Sequence, residues 1–505
     1  MFYVPLYIEA LRVRPRLMFW LATSAQAALW VIVPMLFYAA PPGGLAQLLA
    51  IAHEPSLRDT IGPPLAYWLA EIAFRLAGLF GVYLLSQICV IATFCCVFAL
   101  GREMVGPMHA ALATLLMVGI FAFAVPTPDF GPPILAMALW AATLLLYWHA
   151  IMRKRRQLWY AFAAVAACLL ITTDFALIFL GMLAVFTVLT ARGRAAADTF
   201  EAWVAAAAVV AMALANLVLL QRAGFSLALV TNRLRLAGTA GANTAAWLRF
   251  TAAIVLAHGG LLLLVALACG WPRTRIAPAP AISRSPVAPF AVTFVKTFAI
   301  APILLASIAL VLSGLSLPLG AAAPFLVLSG LAVVVLGSDS IALYHQRVLG
   351  LAWAGLLLLP VIFVPSVIAL LPWVTSTELK VAQPANAMGQ FFADSFSRRT
   401  GRPLAIVGGD VRLAELVAVG APNRPSVYFD TNPARAPSIS ATTIRHDGAV
   451  IVWPAADTNP APPAEIKARF PDLVPEVPHS FDRPVRGRLP PLLIGWGVIR
   501  PADER

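Results

Sequence analysis

Apolar runs of about 20 residues, nearly free of charge, recur along the whole of the first three quarters of this chain. A run of that length can cross the hydrocarbon core of a bilayer, which is roughly 30 Å thick. Inside lipid the backbone must satisfy its own hydrogen bonds, and unbroken apolar blocks favour helices over the alternating pattern of a barrel. Because 61% of the 505 residues are hydrophobic and only 12% are charged, we interpret the chain as an α-helical polytopic membrane protein.

About eleven membrane spans are predicted, at residues 16–39, 79–100, 107–125, 132–149, 159–171, 175–190, 203–220, 250–270, 290–313, 317–336 and 348–371. Basic residues cluster at every second loop, at residues 12–16, 153–156, 192–194 and 273–284. By the positive-inside rule the N-terminus then lies in the cytoplasm, and an odd number of spans puts the C-terminus outside. This distribution accounts for the net charge of +13, so we expect no nucleic-acid partner.

The composition changes near residue 372, where charged residues and prolines become frequent. The stretch GRPLAIVGGDVRLAELVAVGAPNRPSVYFD predicts a strand, a helix with Asp410 as its N-cap, and a second strand. GAVIVWP and LLIGWGVI predict two further strands. We therefore expect two domains: a transmembrane domain at residues 1–371 and a small periplasmic α/β domain at residues 372–505.

The segment between the first and second spans, residues 40–78, is termed the first outer loop. LAQLLAIA and PPLAYWLAEIAFRLAG within it predict two short helices at the outer surface of the bilayer. Between them lie His53, Glu54, Arg58 and Asp59, in a region otherwise nearly free of charge. The same topology places the TPDF turn at residues 127–130 and the turn at residues 172–174 on the outer side.

An ordered set of motifs resembles the polytopic glycosyltransferases of the GT-C superfamily, in the group of family 39 and 83 enzymes. That group includes aminoarabinose and galacturonic-acid transferases and protein mannosyltransferases. The matching motifs are PPLAYWLAE in the first outer loop, YLLSQICV and FALGREMVG on the second span, TPDF, ITTDFAL, and in the tail TGRPLAIVGGD, NRPSVYFD, GAVIVW and IGWGVIRP. The resemblance extends over nearly the whole chain and implies a GT-C fold of about eleven helices with interfacial helices in the first outer loop.

The resemblance implies a multi-pass enzyme of the inner membrane that moves a sugar from a polyprenyl-phosphate donor to a lipid or glycan of the cell envelope, such as lipopolysaccharide. Its partners are then the donor, the acceptor and membrane lipids. In this chemistry a carboxylate takes the proton of the acceptor hydroxyl and a cation stabilises the departing phosphate. The sequence shows no cofactor motif and no convincing ligand cluster for a divalent metal.

The sequence departs from the family at the positions where acids usually follow the first span, which are Gly44 and Gln47 here. Three other acids are therefore candidate catalytic residues: Asp59 and Glu54 in the first outer loop, and Asp129 in the TPDF turn. The alternative for the loop acids is a solvated charge. The alternative for Asp129 is an N-cap of the fourth span.

Candidate substrate-binding residues are Arg58, His53, Arg222, Arg233, Arg235 and Asp174. The arginines could bind a lipid phosphate, or equally the anionic headgroups of the bilayer. His53 could share a proton-transfer role near neutral pH or be a solvated interfacial side chain, and Asp174 is favoured as a helix cap. Glu71 and Arg75, four residues apart on one helix, are expected to pair with each other.

Two other functions compete with catalysis. One is a degenerate relative that binds a lipid-linked sugar or a partner without transfer, which the residues at positions 44 and 47 keep open. The other is a transporter, which we disfavour because no span carries paired internal charges and no inverted repeat is visible.

Overall fold

The computed structural model describes the whole chain except residues 1–8, 56–62, 154, 223–239, 271–280, 314–316, 343–345, 376, 430–438 and 503–505. The chain forms two compact units. The first, termed the helical unit, comprises Met1–Ile32 and Tyr83–Ile362. The second, termed the mixed unit, comprises Val33–Val82 and Phe363–Arg505, so it contains the first outer loop as well as the C-terminal region.

The apolar runs form helices, as the sequence predicts. The longer helices are Pro15–Phe37, Leu65–Met117, Pro132–Met152, Leu158–Leu170, Phe175–Leu189, Phe200–Arg222, Ala240–Ala257, Gly259–Ala268, Pro289–Ser313 and Gln346–Val374. Shorter ones are Leu45–His53, Ala191–Ala197, Leu319–Ala322 and Ser329–Leu336. Among the described residues, seven helices are long and apolar enough to cross a membrane, or nine if each of two bent pairs forms one span.

This count is lower than eleven for two identifiable reasons. Leu158–Leu170 has only 13 residues, and Leu65–Met117 combines the second and third predicted spans in one element of 53 residues. Gly78 and Gly106 within it have left-handed φ angles of 60° and 82°, which interrupt a regular right-handed helix and suit only glycine well. These breaks match the predicted starts of the two spans at residues 79 and 107. The number eleven stays a prediction.

Aromatic side chains form much of the core of the helical unit. Trp140 stacks on Phe179 with ring centroids 3.7 Å apart, and Tyr147 stacks on Phe294 at 6.2 Å. The Tyr147 hydroxyl lies 2.6 Å from Thr187 Oγ1, which satisfies a polar group in an otherwise apolar region. These contacts fasten Pro132–Met152 to the helices that follow it.

The C-terminal part of the mixed unit is the predicted α/β fold. Its sheet contains β3 (Ile406–Gly409), β4 (Ser426–Val427), β5 (Ala449–Pro454), β6 (Val474–Phe481) and β7 (Leu492–Ile499) in the order β4-β3-β5-β7-β6. Strand β3 is parallel to β4 and β5, whereas β7 is antiparallel to β5 and β6. A second, two-stranded sheet in the helical unit pairs β1 (Ala281–Ser283) with β2 (Ser340–Ala342).

In this domain the predictions were accurate where the sequence has a clear helix or strand pattern. The predicted helix is Val411–Gly420, and Asp410 caps it by accepting a hydrogen bond from the Leu413 amide at 2.9 Å. The helix Ala385–Thr400 and strand β6 were not predicted. Strand β6 contains Pro475 and Pro478, which removes the usual strand pattern. Proline is tolerated there because β6 lies at the edge of the sheet, where a missing N–H need not break a ladder.

Candidate functional site

The first outer loop forms the predicted short helix, Leu45–His53, which is termed the loop helix. Seven of its nine residues are buried, and it packs against the helix Val411–Gly420 and strand β4. Its apolar side chains therefore contact the α/β fold within the mixed unit. Gly44 and Gln47, which stand where the family usually has acids, are exposed.

Glu71 is a buried acid of this unit with several basic neighbours. Its side chain is only 5% exposed and contacts three basic groups. Arg75 Nε lies 2.7 Å from Oε1, His53 Nδ1 lies 3.3 Å from the same oxygen, and Arg424 Nη1 lies 2.9 Å from Oε2. A carboxylate shielded from water in this way remains ionised only because its charge is matched and its oxygens accept hydrogen bonds. The predicted Glu71–Arg75 pair is therefore present within a larger cluster.

Arg424 carries the longest-range contacts of the cluster. Its Nη2 donates to the carbonyl oxygen of Leu49 at 3.0 Å, and its guanidinium stacks over the Phe74 ring at 4.2 Å. Among the described non-glycine residues it alone has a positive φ, of 47°. The side chain thus joins the α/β fold to both helical segments of the first outer loop.

A second hydrogen bond joins the loop helix to the α/β fold. Ser426 Oγ donates to Glu54 Oε2 at 2.9 Å, where Glu54 terminates the loop helix. Of the predicted site residues, Glu54 thus bonds to the edge strand β4 of the α/β fold, whereas His53 contacts Glu71 within the first outer loop. Asp59 and Arg58 lie outside the described residues.

Buried polar side chains form hydrogen bonds with the TPDF turn, which belongs to the helical unit. Thr127 is fully buried, and its Oγ1 accepts a hydrogen bond from Gln87 Nε2 at 3.0 Å and donates to the Ala124 carbonyl at 2.7 Å. The neighbouring Ser86 hydroxyl donates to the Thr127 carbonyl. The fully buried pair Ser86 and Thr127 therefore fixes the backbone of the turn that carries Asp129.

Asp129 itself is half-buried, and its amide donates to the Pro126 carbonyl at 3.1 Å. The N-cap residue of Pro132–Met152 is Gly131, two residues after Asp129, so Asp129 does not occupy the N-cap position that the alternative interpretation gave it. The carboxylate therefore sits on a fixed turn ahead of the helix. That arrangement suits a group that must be presented in one orientation.

The remaining candidates are more dispersed. Asp174 occupies the N-cap position of Phe175–Leu189, but its side chain makes no cap hydrogen bond because its backbone is already helical. The favoured cap role for Asp174 is thus not realised. Arg222 ends the helix Phe200–Arg222, although its side chain lies outside the described part of the chain. Arg233 and Arg235 also lie outside it.

The mixed unit also contains a buried acid that the sequence does not single out. Glu415 is 4% exposed on the helix Val411–Gly420, and burial raises its pKa to about 7, against the partial compensation of nearby Arg412. A raised folded-state pKa means that the folded state binds this proton more tightly than the unfolded state. The contribution of Glu415 to the stability of the fold therefore falls as pH rises from about 4.5 to about 7.

We expect Glu415→Gln to stabilise the α/β fold at pH 8 and to have little effect at pH 4. At about 1.4 kcal/mol for each pKa unit, raising the pKa from 4.5 to about 7 corresponds to roughly 3 kcal/mol at the alkaline end. Thermal unfolding of the full chain at several pH values measures this gain. The exposed Glu465→Gln is the matched control, and an equal gain at both pH values would contradict the prediction.

Residues 62–219 match the family model described as dolichyl-phosphate-mannose-protein mannosyltransferase. The crystal structure of ArnT from Cupriavidus metallidurans bound to undecaprenyl phosphate superposes with a TM-score of 0.60 at 10% identity, covering 96% of this chain and 99% of that one. The chain has the GT-C fold. The resemblance stated from the motifs is confirmed at the level of the fold.

The apo structure of the same ArnT gives a TM-score of 0.56 at 12% identity, covering 96% of this chain and 98% of that one. No match is found among curated protein sequences. The GT-C fold therefore extends over nearly the full length of the chain, including the C-terminal α/β region. The family match alone covers the first outer loop from residue 62, the second span and the TPDF turn.

Sequence reasoning missed two features of this GT-C fold. The Glu71–Arg424 contact joins residues 353 positions apart, and only the unusual acid in the apolar PPLAYWLAE motif hinted at a buried partner. The polar pair in YLLSQICV, Ser86 and Gln87, was noted as a family motif without a role. A serine and a glutamine inside an apolar span must find partners, which was the available signal.

Proposed function

We propose that this protein is an integral-membrane glycosyltransferase that moves a sugar from a polyprenyl-phosphate donor to a glycolipid or polysaccharide of the cell envelope. The proposal places the reaction on the periplasmic face of the inner membrane. The observation that carries it is the GT-C fold over 96% of the chain, shared with an ArnT structure bound to undecaprenyl phosphate. The mannosyltransferase family match over residues 62–219 supports the same class of chemistry.

The proposed base is Asp129. The fixed TPDF turn presents its carboxylate, and a carboxylate can take the proton of an acceptor hydroxyl. The acceptor oxygen then forms a bond to the anomeric carbon, the bond from that carbon to the phosphate oxygen breaks, and polyprenyl phosphate leaves with the electron pair. Arg58, Arg222, Arg233 and Arg235 are proposed to bind the phosphate, and the step needs no further reactant.

A second candidate function has one specific observation in its favour. Gly44 and Gln47 are exposed at the positions where the family usually has acids, so an acid there would have been available to substrate. The presence of a glycine and a glutamine in place of those acids favours a protein that binds a lipid-linked sugar without transferring it. This second function predicts that the protein binds the donor and forms no glycosylated product.

Disruption of the gene in its own host is expected to remove one sugar from one envelope glycolipid or polysaccharide. Mass spectrometry of the envelope fraction measures the loss, and restoring the gene on a plasmid should recover it. The purified protein, incubated with donor and the affected acceptor, should then release polyprenyl phosphate. Unchanged envelope glycans in the disrupted strain would reject the transferase proposal, whereas donor binding without turnover would support the second function.

A further inference from the structure

The backbone around Arg424 is built to direct its side chain toward the first outer loop. The Arg424 amide donates to the Ala421 carbonyl at 3.2 Å, which closes a turn after the helix Val411–Gly420. Pro425 follows, and a residue before proline is disfavoured in the ordinary helical conformation. Arg424 instead adopts the left-handed φ of 47°. A non-glycine residue in this region has a strained backbone conformation, and the surrounding contacts must maintain that conformation.

The contacts that maintain it all belong to the first outer loop. They are the Glu71 carboxylate, the Leu49 carbonyl in the middle of the loop helix, and the Phe74 ring. One guanidinium therefore holds the two helical segments of the loop in a fixed relation to each other. Only arginine combines a planar fork of donors with a face that stacks on an aromatic ring.

Stability alone is a weak explanation for this cluster. A buried ion pair must overcome the desolvation of both charges, and an apolar pair of similar volume is often as stabilising. What the charged pair adds is a single defined geometry, because hydrogen bonds are directional and apolar contacts are not. The segment whose geometry is defined contains the candidate site residues His53 and Glu54.

We propose that Arg424 is a positioning residue that fastens the first outer loop to the α/β fold through Glu71 and Leu49, and that sugar transfer requires this fastening. The requirement for transfer rests on the proposed function, whereas the fastening does not. Ser426, which donates to Glu54 at 2.9 Å, is the secondary attachment. The α/β fold is then part of the machinery that presents the loop to substrate.

A double-mutant cycle on the full-length protein tests the fastening. Hydrogen–deuterium exchange of the loop-helix amides is measured in the wild type, Glu71→Gln, Arg424→Gln and the double variant. Each single change should accelerate exchange in the loop helix by about tenfold or more, since local protection reflects the free energy of local opening. The double variant should exchange far more slowly than the product of the two single effects requires, because the residues act as one pair.

The matched control is Arg445→Gln, which removes an exposed ion pair with Asp472 in the same fold. It should leave exchange in the loop helix within about twofold of the wild type, as exposed pairs contribute little. The amides of β3, β5 and β7 report whether each variant is folded. Arg424→Lys keeps the charge without the planar fork and should give an intermediate rate, so the test survives if Arg424→Gln fails to fold.

The envelope product made by each variant then tests the positioning role. Arg424→Gln should lower the product and Arg424→Lys should restore part of it, while Arg445→Gln should match the wild type. Wild-type exchange in Arg424→Gln, or independent effects in the cycle, would overturn the fastening. Faster exchange with unchanged product would overturn the positioning role. A wild-type protein that makes no product would reject the proposed function, and the exchange data would still decide the fastening.

Discussion

Asp129→Asn is expected to lower the rate of sugar transfer by about 10²- to 10⁴-fold, the usual contribution of a general base. Asparagine has nearly the same shape as aspartate but cannot accept the proton of the acceptor hydroxyl. The turn itself should persist, because buried Thr127, Ser86 and Gln87 hold its backbone. The loss should therefore fall on turnover and leave donor binding nearly unchanged.

The measurement is product formation by the purified variant at saturating donor, with donor binding followed separately. Asp394→Asn, a change at an exposed acid on the helix Ala385–Thr400, is the matched control and should retain wild-type turnover. Asp129→Glu should retain part of the activity, since it keeps the carboxylate but moves it. Wild-type turnover in Asp129→Asn would remove this residue as the base and return the role to Asp59 or Glu54.

Gly389→Val is expected to destabilise the α/β fold by about 3 kcal/mol, near the upper end of the usual range for overpacking. A Cβ atom at Gly389 would lie 2.1 Å from the Gly420 carbonyl carbon and 2.2 Å from the Ala421 nitrogen. A Cβ at Gly420 would likewise lie 2.0 Å from the Ala385 carbonyl oxygen. The helices Ala385–Thr400 and Val411–Gly420 thus meet backbone to backbone. A side chain at either glycine can fit only if the two helices move apart.

The expected result is a lower thermal midpoint and a smaller yield of folded full-length protein. Ala387→Val, two residues away on the same helix and exposed, introduces the same side chain without the close approach. It should cost only the small difference in helix propensity, which is well under 1 kcal/mol. Equal midpoints for the two variants would show that the helices tolerate a wider separation. Because the loop helix packs on Val411–Gly420, separation should also disturb the first outer loop.

The two sets of variants test two different properties of the protein. Asp129 tests the chemistry that the GT-C fold is proposed to perform, and Gly389 tests the packing of the fold that supports the first outer loop. The acceptor and the sugar are identified by the mass spectrometry of the envelope described above. A base on the TPDF turn is compatible with the loss of acids at Gly44 and Gln47, because the proposed proton acceptor then lies on a different segment.

Much of the architecture could be read from sequence alone, because its signals are local. Apolar runs near 20 residues predicted the long helices, and Gly78 and Gly106 stand within two residues of predicted span boundaries. In the tail, Asp410 was identified as a cap because capping depends only on the next three residues. Strand β6 escaped because Pro475 and Pro478 erase the alternation that marks a strand.

The roles of the polar residues were decided by the tertiary structure. Glu71 shows only Arg75 in its own helix, and its partner Arg424 comes from a turn more than 300 residues away. Thr127 is joined to Gln87 across 40 residues, and nothing in the periodicity of either segment specifies that pairing. Helix and strand formation depend on neighbours along the chain, so sequence determines them. The pairing of buried charges and hydrogen-bonding groups depends on which segments the completed fold brings together, so it becomes visible only there.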